Sequence, residues 1–285
     1  MVDSKNVIIV NNKDFENKKK NIIGGGKYKI HVLADFDRTL TKAFVNGEST
    51  PSVISELRNG HYISEEYAKK AQELAAKYHP IEMNVKLPIE KKKKAMQEWW
   101  SKHFDLLIKS GLNKKHLQQI ADHGKIKFRE GAIEFFDLLN ENKIPLVIIS
   151  SSGLGGDSIK MFFDKEDKWY PNIDMVSNTY IWDDKGNAVG IKKPIIHVFN
   201  KDETVLKDFP FFNKVKDRKN VILLGDSLGD VGMIEGFDYQ SLIKVGFLNE
   251  DVEKQIDSYK KAYDVILLND EGMEFVNKLV REIIV

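Results

Sequence analysis

Two carboxylates, Asp35 and Asp37, stand two residues apart directly behind an apolar run, in the stretch His31-Val-Leu-Ala-Asp-Phe-Asp-Arg-Thr-Leu-Thr41. The residues from Lys29 to Ala34 are mostly apolar or β-branched and follow Gly24-Gly25-Gly26, so they read as a short buried strand. In open parallel α/β sheets, ligands bind at the carboxyl ends of the strands, which is where these acids would lie. An aspartate behind a strand also serves as a turn-former or helix cap, its side chain accepting from nearby backbone N–H groups. The rest of the chain has to decide between the two readings.

The chain has 285 residues, 42% hydrophobic and 31% charged, enough to bury a substantial core. Its 44 basic and 43 acidic residues leave a net charge of +1, so no general basic surface invites nucleic acid. The absence of cysteine excludes disulfides, thiolate metal sites and thiol nucleophiles together, and any metal must be held by oxygen or imidazole. No apolar run approaches the roughly 20 residues of a membrane span, and the start of the chain lacks the apolar core of a signal peptide. A cytoplasmic protein with no membrane partner is expected, and a monomer.

Read in order, Val7–Val10 is a brief apolar run, and Asn11–Asn21 is polar with a Lys18-Lys19-Lys20 cluster, which together suggest an arm packed on the domain. No Lys-Ser/Thr pair follows the Gly24–Gly26 triplet, so it reads as a flexible entry into the first strand and not as a phosphate loop. From Ser52 to His123 the pattern is helical without a convincing strand. Ser64 caps a helix that Pro80 closes; Pro88 opens another that Gly111 ends; Asn113–Asp122 reads as a third. Beyond it, a helix over Glu130–Leu139 precedes strands at Ile144–Ile149 and Ile173–Val176, then a hairpin of Thr179–Trp182 with Ala188–Ile191. A helical pattern over Thr204–Lys216 leads to strands at Asn220–Leu224, Ser241–Val245 and Asp264–Leu268, the last two each followed by a helical pattern. Alternating strands and helices predict a doubly wound parallel α/β sheet. Residues 1–44 and 125–285 would form this core and residues 45–124 an inserted helical cap.

Three strand ends then offer polar groups: Asp35 with Asp37, the Ser150-Ser151-Ser152-Gly153 loop, and Asp226 with Asp230. In a parallel sheet all three can face one crevice, which lifts Asp35 and Asp37 above a capping role. Four carboxylates in one place repel each other and any anion unless a hard cation joins them, and Mg²⁺ suits an all-oxygen site that also receives phosphate. The chemistry that fits is phosphoryl transfer to an aspartate, a weak nucleophile that needs its charge neutralised and its target in line. Asp35 is the expected nucleophile. Asp37 is placed to protonate the leaving alkoxide and later to take a proton from water. The Ser151 hydroxyl and the N–H groups of Ser152 and Gly153 can bond phosphate oxygens where a glycine-rich turn starts a helix.

Asp-Phe-Asp-Arg-Thr-Leu-Thr, Ser-Ser-Gly-Leu-Gly, a downstream lysine and Gly-Asp-Ser-Leu-Gly-Asp resemble, in order, the four motifs of haloacid dehalogenase-type phosphatases. Gln97-Glu-Trp-Trp-Ser-Lys102, His197-Val-Phe-Asn-Lys201 and Ile222-Leu-Leu-Gly-Asp-Ser-Leu-Gly-Asp230 narrow the resemblance to the cytosolic pyrimidine 5'-nucleotidase (cytosolic 5'-nucleotidase III) family, over nearly the whole chain. The resemblance implies Asp35 as nucleophile, Asp37 as acid and base, and Mg²⁺ ligands at Asp35, Asp226 and the Asp37 carbonyl. It implies Ser151 and Lys201 as phosphate-binding residues, Asp230 as the acid that orients the lysine or a metal-bound water, Glu82 as the base reader and Trp100 as a stacking ring. A carboxylate can accept from the exocyclic amine of cytosine, and an aromatic face can carry a base. His103 departs from the small hydroxyl residue of members that accept methylated guanine nucleotides, which bears on whether such substrates enter.

The expected function is therefore a Mg²⁺-dependent 5'-nucleotidase acting on pyrimidine nucleoside 5'-monophosphates such as CMP and UMP through an aspartyl-phosphate, with phosphotransfer as a side activity. The competing readings are a phosphatase for another small ester, such as phosphoserine or a sugar phosphate, and a catalytically idle nucleotide-binding protein. Trp99 reads as core, His197 as a satisfied buried polar residue, and Asp157 and Asp202 as caps or supporting groups.

Overall fold

Strands that are apolar at every position, not at alternate ones, are covered on both faces, and the centre of this molecule is built from such strands. The structure is a computed structural model that describes residues 5–84, 86–201, 211–235 and 238–284. Its seven-stranded sheet uses β1 (Val7–Ile9), β2 (Ile30–Ala34), β5 (Leu146–Ile149), β6 (Ile173–Val176), β9 (Asn220–Gly225), β10 (Ser241–Leu248) and β11 (Val265–Leu268), in the order β1-β11-β10-β9-β2-β5-β6. The short hairpins β3 (Phe44–Val45) with β4 (Glu48–Ser49) and β7 (Tyr180–Trp182) with β8 (Ala188–Ile191) stand outside it. All sheet pairings are parallel except that of β1, which closes the edge antiparallel to β11.

Alternate residues of each strand enter opposite layers. Val32, Ala34, Ile148, Ile222 and Leu224 join one core with Phe135, Phe136 and Phe163, whereas Leu33, Val147, Ile149, Val221 and Leu223 join the other with Tyr259 and Tyr263. From β2 the chain winds outward through β5 and β6, then returns to β9 on the other side of β2 and winds out through β10 and β11. The direction of winding reverses between β2 and β9, so a crevice opens at the carboxyl ends of those two strands. Ala34 lies opposite Leu224, and the Asp35 N–H donates to the Leu224 carbonyl at 3.0 Å.

The doubly wound sheet follows the pattern in the sequence, with three local differences. Asn12–Gly25 is a helix, α1, where the sequence reads as a polar arm; Asn11 caps it through the Asp14 N–H, and Gly26 ends it at a positive φ of 67°. Only Phe15 and Ile22 of α1 are buried, too few to print a helical period. Pro80 does not close its helix. After α2 (Val53–Asn59), α3 runs from Glu65 to Met83 with Pro80 inside its last turns. That final turn is held from outside, because Ile81 packs on the Tyr78–Met96–Trp99 cluster and Lys92 Nζ donates to the Glu82 carbonyl at 2.8 Å. A proline lacks one donor and crowds the preceding turn, and tertiary contacts here outweigh both effects. Lastly, the β3–β4 hairpin precedes the helical stretch where the sequence carries no strand signal.

The antiparallel helices α3 and α4 (Ile89–Lys109) are followed by α5 (Lys114–His123), α6 (Ala132–Glu141) and, after β5, α7 (Gly155–Lys165). Residues 202–210, and with them Asp202 and the first part of the helical pattern expected over Thr204–Lys216, lie outside the described residues; Phe212–Val215 is helical.

Candidate active site

Three strands deliver their following residues into the crevice. Asp35 and Asp37 follow β2, the Ser150–Gly153 loop follows β5, and Asp226 and Asp230 follow β9. The cleft, of about 210 Å³, is lined by Asp35, Asp37, Ser151, Ser152, Gly153, Lys201, Asp226 and Asp230 together with Glu82 and Trp100 of the helical insert. All ten residues singled out in the sequence are thus brought to one place. Arg38, Ser150, Val198 and Ser227, which stand inside the motif stretches, and Ser52 and Ile54, which carry no signal in the sequence, also line it.

The floor is a buried charge cluster. Lys201 Nζ donates to Asp35 Oδ1 and, at 2.9 Å, to Asp230 Oδ1. The other Asp230 oxygen accepts from the Ser227 N–H at 2.9 Å, the Ser227 hydroxyl at 2.8 Å and the Asp226 N–H at 3.2 Å. Both oxygens of Asp230 are therefore committed, which suits it to orienting Lys201. Gly225 makes this fold-back possible, since a Cβ there would lie 2.5 Å from that of Asp230.

Burial pushes Asp35 up to about 7, against the pull of Lys201 and with Asp230 and Asp37 adding to the rise. Burial also carries Asp226 well above the usual carboxylate range, helped by Asp230 and Asp35. For Lys201, burial alone would depress the ammonium, but Asp230 and Asp35 more than offset it and hold it protonated. The rise at Asp35 and Asp226 marks two hard oxygen donors that lack a cation of their own. Oxygens of Asp35, Asp226 and Asp230 lie within 4.8 Å of one another, and with Asp230 engaged by Lys201 and Ser227, the first two fit a divalent cation such as Mg²⁺.

Asp37 stands at the entrance, its Oδ1 accepting from the Val53 N–H at 3.2 Å, the first N–H of α2. Burial raises it to about 6, opposed by that bond, by Lys201 and by Arg38. A carboxyl near 6 can give and take a proton around neutral pH. Across the cleft, the Ser152 N–H is turned to Ser150 Oγ at 3.1 Å, within the loop that opens α7. Gly153 has no room for a side chain: a Cβ would sit 2.4 Å from the Trp100 ring.

The insert builds a second space beside the first. A cavity of about 520 Å³ shares Ser52, Ile54, Glu82 and Trp100 with the cleft and continues to Arg58, His79, Trp99 and His103. Glu82 lies in the last turn of α3, its Oε2 3.1 Å from His79 Nδ1. Trp100 is half-buried in a stack with Trp99 and Phe104, at centroid separations of 5.6 Å each. Trp99 is buried against Tyr78 and Met96 as core. His103 is buried, its Nε2 3.1 Å from the Tyr67 hydroxyl. His197 is buried too, its Nδ1 accepting from the Phe199 N–H, and Asp157 accepts from Trp182 Nε1 at 2.6 Å.

A family model described as pyrimidine 5'-nucleotidase (UMPH-1) matches residues 38–284. A Xenopus laevis protein named 7-methylguanosine phosphate-specific 5'-nucleotidase A is 37% identical over 267 residues, covering 93% of this chain and 91% of that one. The Homo sapiens protein named 7-methylguanosine phosphate-specific 5'-nucleotidase is 36% identical over 261 residues, covering 91% and 86%. Among solved structures, cytosolic 5'-nucleotidase IIIB bound to cytidine superposes with a TM-score of 0.90 at 28% identity, covering 99% of this chain and 95% of that one. A phospho-aspartyl intermediate analogue of phosphoserine phosphatase, at a TM-score of 0.52 and 17% identity, shares the fold.

Proposed function

Since the chain belongs to the pyrimidine 5'-nucleotidase family and is a phosphoric monoester hydrolase on a haloacid dehalogenase-type fold, we propose that it hydrolyses pyrimidine nucleoside 5'-monophosphates through an aspartyl-phosphate on Asp35. The observation that carries this reading is the shared cleft: the acid cluster, Lys201 and Ser151 meet Glu82 and Trp100 of the insert there, so chemistry and base recognition adjoin.

Residues 45–124 act as the cap. Trp100 offers a face to the base and Glu82 an acceptor for an exocyclic amine. Ser151 and Lys201 hold the phosphate against Asp35. Mg²⁺, held by Asp35, Asp226 and the Asp37 carbonyl, would neutralise the negative charge that otherwise keeps the phosphate from the carboxylate. An Asp35 oxygen attacks phosphorus and the bond to the 5' oxygen breaks, its electron pair leaving with the nucleoside, to which Asp37 delivers a proton. Asp37 then takes a proton from water as that water attacks phosphorus, and the bond from phosphorus to the Asp35 oxygen breaks. Nucleoside and inorganic phosphate are released and both carboxyls return to their starting states. A nucleoside hydroxyl in place of the water gives phosphotransfer.

The names of the relatives favour a second reading of the base, 7-methylguanosine phosphate, and the roomy cavity beside Trp100 supports it. A panel of CMP, UMP, dCMP, GMP, 7-methyl-GMP and phosphoserine, with and without EDTA, separates the readings. The expected result is EDTA-sensitive phosphate release from CMP and UMP that falls to background in Asp35→Asn with the fold intact. Preferred release from phosphoserine, or full activity in Asp35→Asn, overturns the proposal.

A further inference from the structure

The end of β6, next to β5 in the sheet, supplies no group to the chemistry described above, yet it leads to Asn178. This residue is 1% exposed, and all its side-chain bonds go to backbone. Its Nδ2 donates to the Ser152 carbonyl at 3.2 Å and to the Ile196 carbonyl at 3.0 Å, and its Oδ1 accepts from the Ile196 N–H at 2.9 Å. Its own carbonyl accepts from the Gly156 N–H at 3.0 Å, at the start of α7. One amide thus joins two loops that are 44 residues apart in the chain, counted from Ser152 to Ile196.

Each loop presents a different phosphate-facing group. The Ser152 side carries Ser151 and Gly153. Beyond Ile196 the chain makes a tight turn, with the His197 N–H on Asn200 Oδ1 at 2.6 Å and Asn200 Nδ2 on the Ile195 carbonyl at 2.8 Å, and that turn ends at Lys201. Neither loop belongs to the sheet ladder, so their separation is not set by strand pairing. A buried amide using two donors and one acceptor sets it, and a primary amide is the small side chain with donors and acceptor in that arrangement. Tyr180, two residues on, adds a bond from its hydroxyl to the Gly153 carbonyl at 2.8 Å.

We infer that Asn178 is a positioning residue that fixes the distance between Ser151 and Lys201, so that both reach one phosphate while Lys201 stays on Asp35. This rests on the phosphohydrolase reading above. Asn178→Asp keeps the size and the acceptor for the Ile196 N–H, but turns a carboxylate oxygen toward two carbonyls and breaks the clamp. The Asp35 and Asp226 carboxylates are untouched by Asn178, so a loss confined to phosphate handling separates positioning from general damage.

The test is steady-state hydrolysis of CMP and of p-nitrophenyl phosphate by wild type, Asn178→Asp and, should that variant not fold, Asn178→Ser. Inhibition by inorganic phosphate and the Mg²⁺ concentration for half-maximal activity are measured alongside, with folded fraction from circular dichroism. The expected result is a fall in kcat of about 10- to 100-fold per folded molecule, in line with small misplacements of catalytic groups. Phosphate inhibition should weaken by a similar factor, with the Mg²⁺ requirement within about 2-fold of wild type. Unchanged kcat and phosphate inhibition in the folded variant overturn the inference, as does a loss accounted for by Mg²⁺ requirement or unfolding alone. A wild type that releases phosphate from neither substrate instead overturns the phosphohydrolase reading.

Discussion

Lys201 holds the buried cluster together at the scale of single residues. It is 5% exposed and bonds two carboxylates at once, so removing it leaves Asp35 and Asp230 facing each other without a cation. Breaking a buried ion pair from one side costs about 3–5 kcal/mol. Lys201→Met should therefore lose phosphate release, and without Mg²⁺ at pH 7.5 it should lose about that much stability in urea unfolding. At pH 5 the deficit should shrink, because Asp35, already raised to about 7 beside the lysine, is protonated there. An equal deficit at both pH values would show that the lysine serves packing and not charge. Arg129 plays a comparable part beneath the turn that follows β2. Its side chain is fully buried, and it donates to the carbonyls of Arg38, Thr39 and Glu271, to Asp270 Oδ1 at 2.9 Å and to Asn249 Oδ1 at 3.1 Å. Arg129→Met should destabilise by about 3–5 kcal/mol, since it removes the cation beside Asp270, which keeps the Ala43 and Phe44 N–H groups, and withdraws a side-chain donor from three carbonyls, and chemical denaturation measures it directly.

Between elements, the contact that joins α4 to the loop after β5 is that of Trp100 on Gly153. With Trp100 rings 2.4 Å from where a Gly153 Cβ would stand, Gly153→Ala forces either the loop or the helix to move. Overpacking of this kind costs about 1–3 kcal/mol. Gly153→Ala should lower kcat/KM for nucleotide and for p-nitrophenyl phosphate alike. Adding Trp100→Leu should restore part of the p-nitrophenyl phosphate activity, because the smaller side chain frees the loop while that substrate needs no base platform. A double-mutant cycle reads the coupling, and additive effects would mean that the two residues act separately. The same contact explains why the insert was legible as helices but its docking was not. Ser64, Pro88 and Gly111 mark helix ends by local chemistry, whereas Pro80 signals an end that packing of Ile81 and the Lys92 bond override.

Over the whole molecule, two sets of buried groups pull stability in opposite directions with pH. His31 and His103 are lowered by burial to about 4, so they contribute stability above the ordinary value of 6.5 that is lost as pH falls toward 4. Asp35, at about 7, and Asp37, at about 6, are raised by burial, so their contribution is present below the ordinary value of 3.8 and is lost as pH rises through 6 and 7. Bound Mg²⁺ would act on the carboxylates and leave the histidines alone. The gain in Tm on adding Mg²⁺ should therefore be larger at pH 7.5 than at pH 5, where protons compete for the same oxygens. Thermal melts at the two pH values, with and without Mg²⁺, measure it; a gain independent of pH would place the metal elsewhere.

Local chemistry in the chain is enough to specify the strands, because a run that is apolar on both faces has no other stable place, and enough to set acids, serines and glycines at their ends. The order Asp35, Ser151, Asp226 along the chain, with helices between, already implies one crevice in a parallel sheet. Tertiary structure alone decided the rest. Which donors the Asp230 oxygens take depends on how far the chain folds back over Gly225. Whether Glu82 reaches the cleft depends on a helix turn held by contacts with α4. How Ser151 and Lys201 are spaced depends on Asn178, which has no motif of its own because its partners are backbone atoms that any sequence provides. Contacts to backbone leave no pattern in side chains, and so a residue such as Asn178, unlike Asp230, stays silent until the chain is folded.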